Sequence, residues 1–263
     1  MKKFAKKSNL SPLKVEDIYK NFKKKTVLEE ITFGVENGEI FGLIGLNGAG
    51  KTTLIKIILG LLKQDKGAAH IFGENASNTL ARKNISFLPE KFQPSHFLKG
   101  TEFLSLSLAY YGKKYNPKEA KKIAEGLDLD PNVLDLKITK YSKGMGQKLG
   151  LLSAFLTRSP FLILDEPMSG LDPSARIKLK DTLLNYAKTG NTIFFSSHIL
   201  SDIDEICDRI AILHNNKMLF LGKPADFKKK YGNKNLERAF LKSIEGKPLE
   251  GAEVAKKIKA KSA

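Results

Sequence analysis

Residues 40–53 read Ile40-Phe41-Gly42-Leu43-Ile44-Gly45-Leu46-Asn47-Gly48-Ala49-Gly50-Lys51-Thr52-Thr53. The first five suit a buried strand, and an apolar pattern of helical period runs on from about 51 to 62. Between strand and helix, Gly45 to Thr52 fits the pattern G-x-x-x-x-G-K-[ST] in the context that the pattern requires. Three glycines let the backbone N–H groups of Asn47, Gly48, Ala49 and Gly50 turn inward around a pair of phosphates. The helix N-terminus at Lys51, Thr52 and Thr53 adds its positive end, Lys51 adds a point charge, and the Thr52 hydroxyl is suited to magnesium. The stretch predicts a nucleotide site on an α/β fold.

Working outward, 161–165 and 192–197 also read as buried strands, with helices expected at about 101–111, 117–126, 145–157, 174–188 and 199–205. Strands alternating with helices predict a mainly parallel sheet. Residues 92–157 look almost purely helical, and 209–213 with 217–222 read as a hairpin across His214, Asn215 and Asn216. The strand at 161–165 ends in Asp165 and Glu166, 114 residues after Lys51. Carboxylates at the C-terminal end of a buried strand lie where such sheets bind ligands. There Asp165 can hold a magnesium ion and Glu166 can deprotonate or orient an attacking water, without a covalent intermediate.

Composition narrows the class. The chain has 263 residues, 41% of them hydrophobic, enough for one large domain or two intimate subdomains. A single cysteine, Cys207, excludes an intramolecular disulfide framework and a cysteine-built zinc site. His70, His96 and His214 suggest no metal cluster, and the start Met1-Lys2-Lys3 lacks the apolar stretch of a secretion signal. The most apolar regions, 54–62 and 149–164, are interrupted by Lys56 and by Arg158 and Pro160, so neither is expected to span a bilayer. The formal charge of +17 is concentrated at the ends: residues 1–25 carry nine lysines against Glu16 and Asp17, and residues 223–263 carry twelve basic against five acidic groups. A near-neutral middle with two basic ends suits an anionic lipid surface, although nucleic acid would feel the same charge and plain solvation explains it equally well.

Further residues identify a resemblance. Tyr141-Ser142-Lys143-Gly144-Met145-Gly146-Gln147, then Ser169-Gly170-Leu171-Asp172 after the acidic pair and Ser196-Ser197-His198 after the next strand, resemble in order and spacing the nucleotide-binding subunits of ATP-binding cassette transporters. Taken singly, Ser142 is a helix N-cap and His198 a structural histidine. The resemblance covers about residues 13–241. It implies a phosphate-loop ATPase core over 13–222 with a small antiparallel β region and a helical subdomain inserted at about 92–157. A basic N-terminal tail (1–12) and a basic helical extension (223–263) flank it. It implies ATP and magnesium as ligands, Glu166 and His198 as the hydrolytic pair, and Thr52, Asp165 and Glu90 around the metal. It also implies a head-to-tail dimer of identical or paralogous ATPase subunits. In that dimer Ser142, Lys143, Gly144 and Met145 close over the partner's ATP, each nucleotide is clamped between two helix N-termini, and Asp172 couples the two sites. Phe22, 29 residues before Lys51, is the expected ring against adenine, with Tyr19 as the competitor.

Two segments depart from the family's usual pattern. Lys143 and Met145 stand where a glycine and a glutamine are usual, a form similar to that of the drug and antibiotic exporter branch. Glu90, after Ile85-Ser86-Phe87-Leu88-Pro89, stands where a magnesium-contacting glutamine is usual, and a carboxylate can still take that role. Leu236-Glu237-Arg238-Ala239-Phe240-Leu241 resembles the same branch and also suits an amphipathic helix. The expected partner is a separate integral membrane permease, which would hold this chain as a peripheral subunit at the cytoplasmic face of the cell membrane. Part of a surface carrying Phe92, Phe97, Phe103, Leu104, Tyr110 and Tyr111 would form its groove. The competing expectation is a soluble cassette ATPase acting on ribosomes, nucleic acid or cofactor assembly. Against it, 114 residues between the phosphate loop and the acidic pair leave no room for a long coiled-coil arm. A phosphate-loop kinase would have no use for the segment around Ser142.

Overall fold

The structure, a computed structural model, describes residues 10–245. Most of the tail expected at 1–12 and the last part of the extension expected at 223–263 lie outside the described residues. In chain order the elements are β1 (Leu13–Phe22), β2 (Lys25–Val35), β3 (Ile40–Gly45), α1 (Lys51–Ile58), β4 (Lys66–Ile71), β5 (Glu74–Asn75) and β6 (Ile85–Leu88). Then follow α2 (Gly100–Tyr110), α3 (Pro117–Gly126), α4 (Lys143–Leu156), β7 (Phe161–Asp165), α5 (Pro173–Lys188), β8 (Thr192–Ser197) and α6 (Leu200–Ile206). β9 (Arg209–His214), β10 (Lys217–Gly222), α7 (Pro224–Lys230) and α8 (Leu236–Ile244) are the last elements among the described residues.

Six strands form one sheet in the order β10-β9-β3-β8-β7-β6, with every pair parallel except the hairpin β9/β10. Every residue of β3, β7 and β8 is buried, which is why they read as unbroken apolar runs. A second, antiparallel sheet runs β2-β1-β4-β5. Its strands escape a period-2 reading of the sequence. Asp17 and Glu30 adopt left-handed φ values of 47° and 55°, and the β1/β2 register shifts between Val15 and Ile18. Each such bulge inserts one residue and moves the apolar set out of step.

One hydrophobic cluster joins Phe33, Phe41, Leu54 and Phe194 between this sheet and the phosphate-loop side of the parallel sheet. Phe33, Phe41 and Phe194 stack there, with centroids 5.4 Å apart for the first two and 5.8 Å for the last two. The other cluster joins the opposite face, through Ile44, Leu164 and Phe195, to Leu104, Leu108, Leu149 and Leu152 of the helical insertion. The insertion therefore shares its core with the sheet that carries the loop.

Several element ends differ from expectation. α1 stops at Ile58 and not near 62, because Gly60 takes φ 64° and Leu61 N–H donates to Lys56 O at 2.8 Å. That is the glycine-terminated Schellman arrangement. The hairpin turn consists of Asn215 and Asn216 alone, both left-handed (φ 47° and 66°), while His214 belongs to β9 and pairs with Lys217. The helix expected at 117–126 and the end expected at 188 are found where expected, and the other helix ends move by one or two residues. α6 crosses β3 at Gly42, where an added Cβ would meet Cys207 Sγ at 2.9 Å and Ile203 Cγ2 at 3.2 Å. Gly42→Ala is therefore expected to cost about 1–3 kcal/mol of stability through overpacking. An unchanged urea midpoint would contradict it.

Candidate nucleotide site

The loop between β3 and α1 takes its shape from local backbone constraints. Gly48 and Gly50 adopt φ values of 82° and 102°, and Ala49 N–H donates to Leu46 O at 3.0 Å. A Cβ on Gly50 would also stand 2.9 Å from Leu28 Cδ2 and 3.0 Å from Val27 O, so the loop is pressed against β2. No side chain caps α1, and its first turn holds no acidic residue. Its free N–H groups and positive dipole end thus face the loop with nothing negative of their own, the arrangement that attracts phosphate.

Lys51 is buried, and its Nζ donates to Gly45 O at 2.8 Å and pairs with Glu166 Oε1 at 3.2 Å. Glu166 is also buried, in a left-handed conformation (φ 50°). Its Oε2 lies 2.7 Å from His198 Nδ1 and accepts the His198 main-chain N–H at 3.3 Å. The carboxylate is held between a lysine and a half-exposed histidine. Beside it Asp165, 1% exposed, accepts from Thr52 Oγ1 at 3.0 Å on Oδ2 and from Ser196 Oγ at 2.5 Å on Oδ1.

A cavity of about 460 Å³ opens above these groups. Asn47, Gly48, Gly50, Lys51, Thr52, Thr53, Glu90, Glu166 and His198 all line it, so most residues expected around the phosphates come together. Val27, Leu46 and Ser169 join them. Val27 has no motif around it and was not legible as a site residue. Asp165 lies beneath, bonded to Thr52, and Ala49 packs with its Cβ position near Gly45. Thr52 and Asp165 present hard oxygen donors within hydrogen-bond reach of each other, a pairing that fits magnesium. Among the described residues no group of three or more His, Cys, Asp or Glu could hold a metal by itself, so phosphate and water oxygens would have to complete the ligand set.

The other expected residues lie outside this cavity. Phe22, 46% exposed at the end of β1, has Lys20 Nζ 5.4 Å from its ring centroid, and Tyr19 has Lys66 Nζ at 5.6 Å. Ser142 caps α4: its Oγ accepts Met145 N–H at 3.2 Å, and Met145 Sδ accepts Ser142 N–H at 3.4 Å. The methionine thus completes the capping box that a glutamine amide would otherwise form, with sulfur as the weaker acceptor. Lys143 lays its side chain over Gly170, and Gly144 approaches Gly170 O. One turn on, buried Gln147 donates to Pro167 O at 3.2 Å, which ties α4 to the segment following Glu166. Asp172 caps α5 by accepting Ala175 N–H at 2.9 Å, and that bond holds its carboxyl below the usual range. Ser142→Ala should lower stability by about 1 kcal/mol through loss of the cap. Met145→Gln should not lower it. Chemical denaturation of the two variants checks both.

A parallel sheet that brings a phosphate loop, its lysine and a carboxylate pair to one end belongs to the phosphate-loop ATPases. The sequence profile described as ABC transporter matches residues 28–169, and the chain belongs to the ABC transporter family. It is 38% identical over 202 residues to an ABC transporter ATP-binding protein of Synechocystis sp., covering 76% of this chain and 57% of that protein. It is 31% identical over 242 residues to the linearmycin resistance ATP-binding protein LnrL of Bacillus subtilis, covering 88% of this chain and 76% of that one. A solved ATP-binding subunit of an ABC transporter superposes with a TM-score of 0.80 at 32% identity, covering 89% of this chain and all of the other. The chain thus spans little more than half the length of the cyanobacterial relative.

Proposed function

We propose that the chain hydrolyses ATP to drive a transporter whose membrane-spanning part is a separate protein, and that the transport is export. The observation that carries hydrolysis is the Glu166 carboxylate, poised 3.2 Å from Lys51 Nζ and 2.7 Å from His198 Nδ1 at the floor of the loop cavity. The loop N–H groups of residues 47–53 and Lys51 bind and orient the phosphates. Once phosphate takes over Lys51, Glu166 is free to accept a proton from the attacking water, and His198 holds its second oxygen in place. Thr52 and Asp165 would hold a magnesium ion, and exposed Glu90 would reach it directly or through water. The ion would neutralise phosphate charge.

Two copies, identical or paralogous, pair head to tail. Ser142, Lys143, Gly144 and Met145 of one cover the nucleotide of the other, Asp172 couples the sites and Phe22 stacks on adenine. Among the described residues no helix is long and apolar enough to cross a membrane. Of the aromatic surface expected to meet it, Phe97 and Tyr110 are 90% and 84% exposed, whereas Leu104 is core. Export is favoured by the likeness to an antibiotic-resistance subunit. Exposed Lys229, Lys230 and Arg238 on α7 and α8 suit anionic headgroups at the cytoplasmic face of the membrane. The test is to tag the chain in its native cell, solubilise membranes gently and identify what co-purifies with ATP and magnesium. A multi-span protein is expected, and a soluble pool bound to ribosomes or nucleic acid would overturn the transporter reading.

A further inference from the structure

β8 runs parallel to β7 in a register that sets Ser196 beside Asp165. Ser196 is completely buried, and its hydroxyl both donates and accepts. It gives its one proton to Asp165 Oδ1 at 2.5 Å, and its oxygen accepts the Glu166 main-chain N–H at 3.0 Å. The other Asp165 oxygen is the acceptor for Thr52. Glu166 meanwhile holds a left-handed backbone conformation that a non-glycine residue keeps only when its surroundings over-determine it. The adjacent hydroxyl, Ser197 Oγ, is occupied elsewhere and accepts the Ile199 N–H at 3.0 Å. An apolar residue at 196 would leave Asp165 Oδ1 and the Glu166 N–H buried without these partners, and such groups are costly.

We propose that Ser196 is a positioning residue for hydrolysis. One buried hydroxyl turns the Asp165 carboxylate toward Thr52 and the metal held there, and the same hydroxyl pins the peptide that aims Glu166 between Lys51 and His198. It acts through those two residues and touches neither nucleotide nor metal. The inference rests on the nucleotide reading above and deepens it. Groups that orient a metal ligand from behind matter almost as much as the ligand itself, because carboxylate orientation sets how well the oxygen faces the ion.

The test compares the wild-type full chain with Ser196→Ala, Ser196→Thr and Ser196→Cys. A fluorescent ATP analogue is titrated in the presence of EDTA and again with magnesium, and steady-state turnover is measured alongside. In Ser196→Ala the metal-free affinity should stay at the wild-type value, while the gain in affinity on adding magnesium and the turnover both fall about 10–100-fold. Ser196→Thr, which keeps the hydroxyl, should recover most of both, and Ser196→Cys should lie between. A general loss of packing would instead lower the metal-free affinity along with the magnesium-dependent gain, and that result overturns the proposal. So does a Ser196→Ala chain with an undiminished magnesium effect. If the alanine chain does not fold, Ser196→Cys, close to serine in volume with only a weak donor, carries the same comparison. A wild-type chain that binds no nucleotide would bring down the nucleotide reading and this proposal together. Normal wild-type binding with a silent Ser196→Ala brings down only the role given to Ser196.

Discussion

Glu166→Gln should abolish steady-state ATP hydrolysis while leaving ATP binding at least as tight as in the wild type. General-base assistance of the kind assigned to Glu166 is worth about 10²–10⁴-fold in rate, and an amide cannot supply it. Binding should survive because the wild-type carboxylate sits 3.2 Å from Lys51 Nζ, on the cation that the phosphates need. A neutral amide of the same shape holds Lys51 less strongly and does not repel an incoming phosphate. Lys51 keeps its bond to Gly45 O and stays in place. With hydrolysis blocked, ATP should persist between two copies, so size-exclusion chromatography in ATP and magnesium should show a dimer that ADP does not support. Normal turnover in this variant would remove Glu166 from its role.

Lys51→Ala should reduce ATP affinity about 100-fold, roughly 3 kcal/mol, the scale of one charge-assisted hydrogen bond lost from a partly enclosed site. It should also destabilise the protein in the absence of nucleotide. Lys51 and Glu166 are both buried, and removing one member of such a pair leaves the other charge without compensation. The two effects separate in the double variant. Adding Glu166→Gln to Lys51→Ala should return the stability, because no orphaned carboxylate remains, yet leave ATP binding weak. Calorimetric titration and thermal unfolding of the single and double variants form one cycle. Stability losses that simply add would mean that the two side chains do not compensate each other in solution.

Legibility differed from one element to the next for physical reasons. The strand and glycine pattern at 40–53 predicted a loop that the structure folds with Gly48 and Gly50 in left-handed conformations. The buried strands at 161–165 and 192–197 were equally plain. The antiparallel sheet was not, since the bulges at Asp17 and Glu30 destroy the alternation by which its strands would be recognised. Met145 read as a departure from a glutamine-bearing pattern, and only the geometry revealed its sulfur closing the cap on Ser142. Val27 reaches the cavity solely because β2 packs against Gly50.

The sequence by itself determined that this protein has a phosphate loop and a strand-end acidic pair, because both depend on backbone conformations and apolar runs encoded within a few consecutive residues. Which atoms face one another was decided by tertiary structure alone. Ser196 reaches Asp165 from 31 positions away and Thr52 reaches it from 113. These contacts exist because strand order and parallel register bring the ends of β3, β7 and β8 to one place, and the packing of two hydrophobic cores on either side of the sheet holds that register.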